Sequence, residues 1–269
     1  MSTRATAGRA VQSAANSKGL EILARVGFGA SALVHILLGY LAIRVATNGG
    51  GESDQSGAMA EITKLPGGTI LIWVVTIGLF ALALWLVVEA ITGIGSSSDK
   101  RWVRSLIPAG KAVAYAAVGV TALTFAMGQS TSNAESTQQT SASVLQMPGG
   151  PILLGVVGVA VIGIGGYFVF KGVTKKFEED LTMPSGTVGR VVRVMGVVGY
   201  VAKGIAVGVM GILFVVAAVK VDPGNATGLD GALKALVQLP FGVVVLVAVG
   251  VGLIAYGLYT IVRARFARL

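Results

Sequence analysis

The sequence predicts an all-α integral membrane protein, with six transmembrane helices built as three parallel two-helix repeats. Three observations lead there. Mean hydropathy is +0.80 and only 12% of the 269 residues are charged. The charges cluster between uncharged runs of roughly 18 or more residues, enough helix to cross a hydrocarbon core of ~30 Å. Barrel strands would alternate polar with apolar, whereas these runs are apolar on every side. Finally, Leu65-Pro66-Gly67-Gly68 recurs as Met147-Pro148-Gly149-Gly150 and as Leu239-Pro240-Phe241-Gly242, each time opening an apolar run.

The register extends well beyond the turn. Trp85, Tyr167 and Tyr259 stand at one offset from it, and Glu89, Lys171 and Arg263 lie four positions further on. Upstream, Gly39, Gly119 and Gly211 are equivalent, as are Ser31, Lys111 and Lys203 before them. Expected spans are 22–46, 69–94, 106–128, 151–174, 191–219 and 241–263. Each repeat holds two spans, so all three copies cross in the same sense, related by an axis along the membrane normal. A pseudo-threefold six-helix bundle is the natural packing.

In chain order, residues 1–20 read as a disordered cytoplasmic tail. Repeat one occupies 21–95, repeat two 96–175 and repeat three 176–269, all within one membrane domain. Span one is too long for a signal peptide and belongs to the repeat, so cleavage is not expected. In repeat three, Leu229, Leu233, Leu236 and Val237 share one helical face. A short amphipathic helix on the outer surface follows, with Asp230 as its start and Ser56 in the matching place of repeat one. The proline then suits the first turn of the next span. Repeat two carries a Ser/Thr/Gln-rich version at 129–146, where a helix is doubtful.

Only Arg44, Lys64, Lys220 and Lys234 of the 21 basic residues fall on the side of these short helices. The 12 acids divide evenly. Cytoplasmic flanks carry the Lys/Arg excess, which places both termini in the cytoplasm. The net charge of +9 is thus a topology signal with attraction to anionic lipid. A nucleic-acid partner would need a clustered basic face with aromatics, which is absent.

With no cysteine, thiolate catalysis and zinc–sulfur sites are excluded. No Gly-x-Ser-x-Gly, no HExxH and no paired intramembrane carboxylates appear. No catalytic residue, metal site or cofactor is predicted, and no enzyme is expected. His35, the sole histidine, lies near mid-membrane. It reads as a neutral side chain bonded between helices or as a ligand, quinone or proton contact. Glu89, Lys171 and Arg263 share one depth near the inner boundary, as a charge cluster or as snorkelling anchors. Lys111 and Lys203 read as anchors or as contacts to lipid phosphate or substrate. Gly196, Gly204 and Gly208 offer a close-packing face. Trp85, Tyr167 and Tyr259 fit an aromatic belt.

With its three prolines, its aromatic triplet, Lys111 and Lys203 with their glycines, and Gly57 and Gly231, the chain resembles the bacterial family called Domain of Unknown Function 1206. Two positions depart from the pattern: Ser31 replaces a basic residue, and repeat two lacks the outer glycine. The resemblance implies a plasma-membrane protein of three two-helix units, in a family common in actinobacteria. It implies no activity. The expected function is therefore a non-enzymatic accessory or scaffold subunit that binds lipid and a larger membrane complex. One alternative is a small transporter or channel along the pseudo-threefold axis. The other is a respiratory accessory holding quinone or carotenoid.

Overall fold

A computed structural model of the chain describes residues 18–47, 50–92 and 101–266. The expected tail lies outside the described residues up to position 17, as do the segment 96–98 and Arg268. Each repeat is a long helix, a short helix, a turn and a second long helix. Repeat one comprises α1 (Lys18–Ala46), α2 (Gln55–Lys64) and α3 (Gly68–Thr92). Repeat two comprises α4 (Arg101–Ala126), α5 (Asn133–Leu145) and α6 (Gly150–Val173). Repeat three comprises α7 (Gly186–Lys220), α8 (Gly228–Val237) and α9 (Gly242–Phe266). A 3-10 turn, Lys176–Asp180, joins α6 to α7. The six long helices are long and apolar enough to cross a membrane. This is an all-α, multi-pass membrane architecture.

The helices outrun the expected spans mainly at the terminal face, the end of the bundle where α1 begins and α9 ends. There α4 begins at Arg101, α7 at Gly186 and α9 ends at Phe266. Hydropathy marks where lipid stops, whereas a helix continues as long as its backbone bonds are made.

The recurrent tetrapeptide is a turn and not a helix start. In all three copies the amide of the fourth residue bonds the carbonyl of the first: Gly68 to Leu65, Gly150 to Met147 and Gly242 to Leu239, each at 2.8 Å. Proline sits second, where its fixed φ belongs, and the third residue takes positive φ: 74° at Gly67, 76° at Gly149 and 59° at Phe241. The proline therefore precedes the span and does not occupy its first turn. The fourth position must be glycine for another reason. A Cβ there would overlap the carbonyl oxygen of Ile62, Val144 or Leu236 at the end of the preceding short helix.

The short helices need two further corrections. The α5 segment is helical over 13 residues despite its polarity. Ser132 caps it by accepting from the Glu135 amide at 3.2 Å, and Gln139 donates back to Glu135 at 3.2 Å. The cap of α2 is Asp54, which accepts from the Gly57 amide at 3.1 Å, in place of Ser56. Thr227 precedes α8, and Asp230 lies inside its first turn, bonded elsewhere. The apolar faces of α2 and α8 (Met59, Ile62, Leu233, Leu236) join the same core as Leu41, Leu79 and Leu246 of the spans.

Packing fixes the order around the bundle as α6, α7, α9, α1, α3, α4. The three packings between successive repeats, α3 on α4, α6 on α7 and α9 on α1, are all extensive. Within repeats, α1 packs on α3 and α7 on α9, but α4 and α6 make at most a marginal contact. The ring is open at that point. Glycine explains the two closed hairpins. A Cβ on Gly27 would overlap Leu82 and the Gly78 carbonyl, and one on Gly199 would overlap the Tyr256 backbone. The equivalent residue in repeat two is Ile107, which brings no such close approach and remains 40% exposed.

Candidate functional site

Polar chemistry is stacked in three layers along the bundle axis. The middle layer is built on His35 of α1. Its Nδ1 lies 2.7 Å from the Ser31 carbonyl, the i−4 acceptor of its own helix. That bond makes Nδ1 the donor and leaves Nε2 to accept from the Lys203 ammonium on α7 at 3.2 Å. Lys203 is further held over the ring of Tyr256 at 4.3 Å and of Phe168 at 5.2 Å. The Ser31 hydroxyl lies 3.2 Å from the Tyr115 hydroxyl of α4. Five helices thus supply one half-buried node. Lys203 points inward here and not to head groups. The signal for this was present in the register, since Lys203 is the equivalent of Ser31, one turn below His35.

The layer at the terminal face gathers Lys171, Arg263, Glu89 and Lys111 around a residue that sequence reasoning left in a loop, Asp180. Its carboxylate accepts from Lys171 Nζ at 2.6 Å and lies 3.8 Å from Arg263 Nη2. Glu89 and Lys111 act electrostatically on the same group. Arg263 also stacks on Phe28 at 4.8 Å. Asp180 arrives because the 3-10 turn folds into the end of the bundle. Phe177 is fully buried against Gly196, stacked on Tyr200 at 5.5 Å and edge-on to Tyr259 at 5.3 Å. Gly196 therefore receives a ring from the connecting turn, while Gly204 meets Gly165 of α6, whose approach also reaches the Gly208 backbone. Tyr259 is fully buried and Trp85 nearly so, and neither forms a belt; Tyr167 is 45% exposed. Burial pushes the Asp180 pKa up, but Arg263, Lys171 and Lys111 outweigh it and hold the carboxyl below its usual range.

The third layer lies under the short helices. Asp230 accepts from the Ser53 amide at 2.7 Å and from Lys234 at 2.7 Å. The Ser56 hydroxyl lies 2.8 Å from a Glu52 carboxylate oxygen and accepts from the Asn133 amide at 3.1 Å, so one residue links repeats one and two. Asn133 in turn accepts from Thr121 at 3.2 Å. Beside this network, between the splayed α4 and α6, is a cavity of about 620 Å³. Its walls at the short-helix end are polar, with Asp54, Thr121, Asn133 and Thr140. Further in they are apolar, with Val118, Val157, Val207 and Met210. Asp54 was missed in the sequence because three acids stand near one another in that loop and nothing marks which is buried. Its pKa is raised, chiefly by burial.

Three segments of the chain, 26–93, 108–175 and 198–267, match the family described as Domain of Unknown Function (DUF1206). Among curated proteins, the chain is 32% identical over 243 residues to "Uncharacterized protein YxxB" of Bacillus subtilis (strain 168), covering 89% of this chain and 88% of that protein. No solved structure matches.

Proposed function

The chain belongs to the Domain of Unknown Function (DUF1206) family, and because that description carries no activity we propose a function from the geometry: a non-enzymatic membrane protein that takes an amphiphile laterally out of the bilayer. The observation that carries this reading is the opening between α4 and α6. A six-helix ring closed at five contacts and open at the sixth gives lipid a side entrance. Behind that entrance is a cavity of the size that holds small amphiphilic ligands. Its polar and apolar walls are ordered like a lipid, head toward the short helices and chain toward mid-membrane. Lipid is then a ligand as well as a solvent.

The accessory role follows as the wider proposal. The candidate spans in α6 and α4 are the least enclosed of the six, 17% and 28% buried against 39–56% for the others. They offer the surface on which a larger membrane partner would receive or deliver such a ligand. A second reading, a small transporter, draws on the His35–Lys203 pair, because ionisable side chains within a span mark pathways for protons or substrate.

Photo-cross-linking separates these. Protein in vesicles containing a lipid with a diazirine on its acyl chain is irradiated and the adducts are mapped by mass spectrometry. Adducts are expected on the cavity face of α4 and α6, at Ala117, Leu153 and Val157, above those at Val74 and Ile77 on the closed side. Even labelling around the perimeter would sink the lateral-binding reading. Flux of a substrate or of protons, lost on His35→Ala, would favour the transporter.

A further inference from the structure

We infer that the head group held in this cavity is a phosphate-free hydrogen-bond donor, a hydroxyl or an amine, received by the carboxylate of Asp54. The inference rests on the lateral-binding reading above and adds the chemistry of the ligand. Asp54 is 1% exposed and forms part of the cavity wall. One of its oxygens is occupied: Oδ1 accepts from the Gly57 amide at 3.1 Å and from the Ser56 hydroxyl. The other, Oδ2, is buried with no hydrogen-bond partner. A buried carboxylate oxygen without a donor is costly, and it is the kind of group a ligand satisfies.

The surroundings select the sign of that ligand. No lysine or arginine is among the described residues lining the cavity. Glu52 and Asp230 add negative field at Asp54, and Lys234 is engaged with Asp230. An anionic head would meet acceptors and carboxylates with no cation to pair its phosphate, so the bulk anionic phospholipids are disfavoured. A diacylglycerol-type hydroxyl or a long-chain amine meets an acceptor, with Gln55, Thr121 and Thr140 to bond any further hydroxyls. The apolar lower walls take the chain.

The test uses the full chain purified in detergent, titrated with fluorophore-labelled diacylglycerol and with phosphatidylglycerol bearing the same fluorophore. Diacylglycerol is expected to bind at least about tenfold more tightly. Asp54→Asn keeps the helix cap, since asparagine caps as well as aspartate, but it turns the free acceptor into a donor. It is expected to weaken diacylglycerol binding by about tenfold or more with little change in thermal midpoint. Asp54→Ser, which also caps, serves the same purpose should the asparagine variant not fold. Ala117→Trp fills the cavity and is expected to abolish binding of both lipids. Displacement by hexadecanol or by hexadecylamine tells which donor is preferred, and displacement by neither overturns the head-group inference. Undiminished diacylglycerol binding by both Asp54 variants, or equal affinity for phosphatidylglycerol, overturns it as well while the lateral cleft stands. Undiminished binding by Ala117→Trp overturns the cleft itself.

Discussion

Asp180 shows how much one residue outside the spans can organise. Lys171 and Arg263 occupy equivalent repeat positions, and without Asp180 their charges would face each other and Lys111 at the end of the bundle. Removing one partner of a buried pair leaves an uncompensated charge, which costs ~3 kcal/mol or somewhat less where the carboxylate is partly wet. Asp180→Asn is therefore expected to lower the thermal midpoint in detergent by several degrees. The pH dependence has a definite sign. Arg263 and Lys171 hold the folded carboxyl below its unfolded value near ~3.9. Its contribution is complete above that value and is lost as pH falls through the lower folded pKa. The gap between wild type and Asp180→Asn should then be constant at neutral pH and narrow below about pH 4. A constant gap down to pH 2 would sink the assignment. Lys171, Arg263 and Glu89 were legible from the repeat register because each has counterparts; Asp180 has none, and only the folded turn shows where it goes.

Elements in this protein are positioned by close approach of backbones, and glycine decides where that happens. Gly204 and Gly163 make the point, being similar in sequence context and opposite in setting. A Cβ on Gly204 would meet the Gly165 carbonyl at 2.6 Å and Val169, whereas one on Gly163 meets nothing within 4 Å. Gly204→Ala is expected to push α6 from α7 and cost ~1–3 kcal/mol by overpacking. Gly163→Ala should be neutral or slightly stabilising through helix propensity. Reversible unfolding of the two variants in detergent checks this, and equal effects would overturn the packing account. Span positions and the short helix α8 were readable because they rest on local pattern; the Pro-Gly-Gly repeat was visible too, but as a helix start and not as the turn it makes. The α5 helix was not, since its stability comes from a serine cap and side-chain bonds, and no apolar face announces it. Nor was the open seam, where Ile107 stands in the place that Gly27 and Gly199 take in the closed hairpins.

At the scale of the whole molecule, the axis has two chemically different ends, and charge sets which way it points. Among the described basic residues only Arg44, Lys64, Lys220 and Lys234 belong to the end with the short helices. Arg44 is paired with Glu61 at 2.8 Å and Lys234 with Asp230 at 2.7 Å, so little free cationic charge remains there. The terminal face keeps the Lys/Arg excess, each residue contributing ~1 kcal/mol of attraction to an anionic leaflet. That face is expected inside the cell, which opens the polar end of the cavity toward the outer leaflet. Since the chain has no cysteine, single introduced thiols report the orientation without background. Gln139→Cys on exposed α5 should react with an impermeant maleimide in intact cells, and Lys176→Cys only after the cells are opened. The reverse pattern would turn the molecule over and assign the lateral cavity to the inner leaflet. It would leave Asp54 and the seam between α4 and α6 unchanged but alter which lipids can reach them.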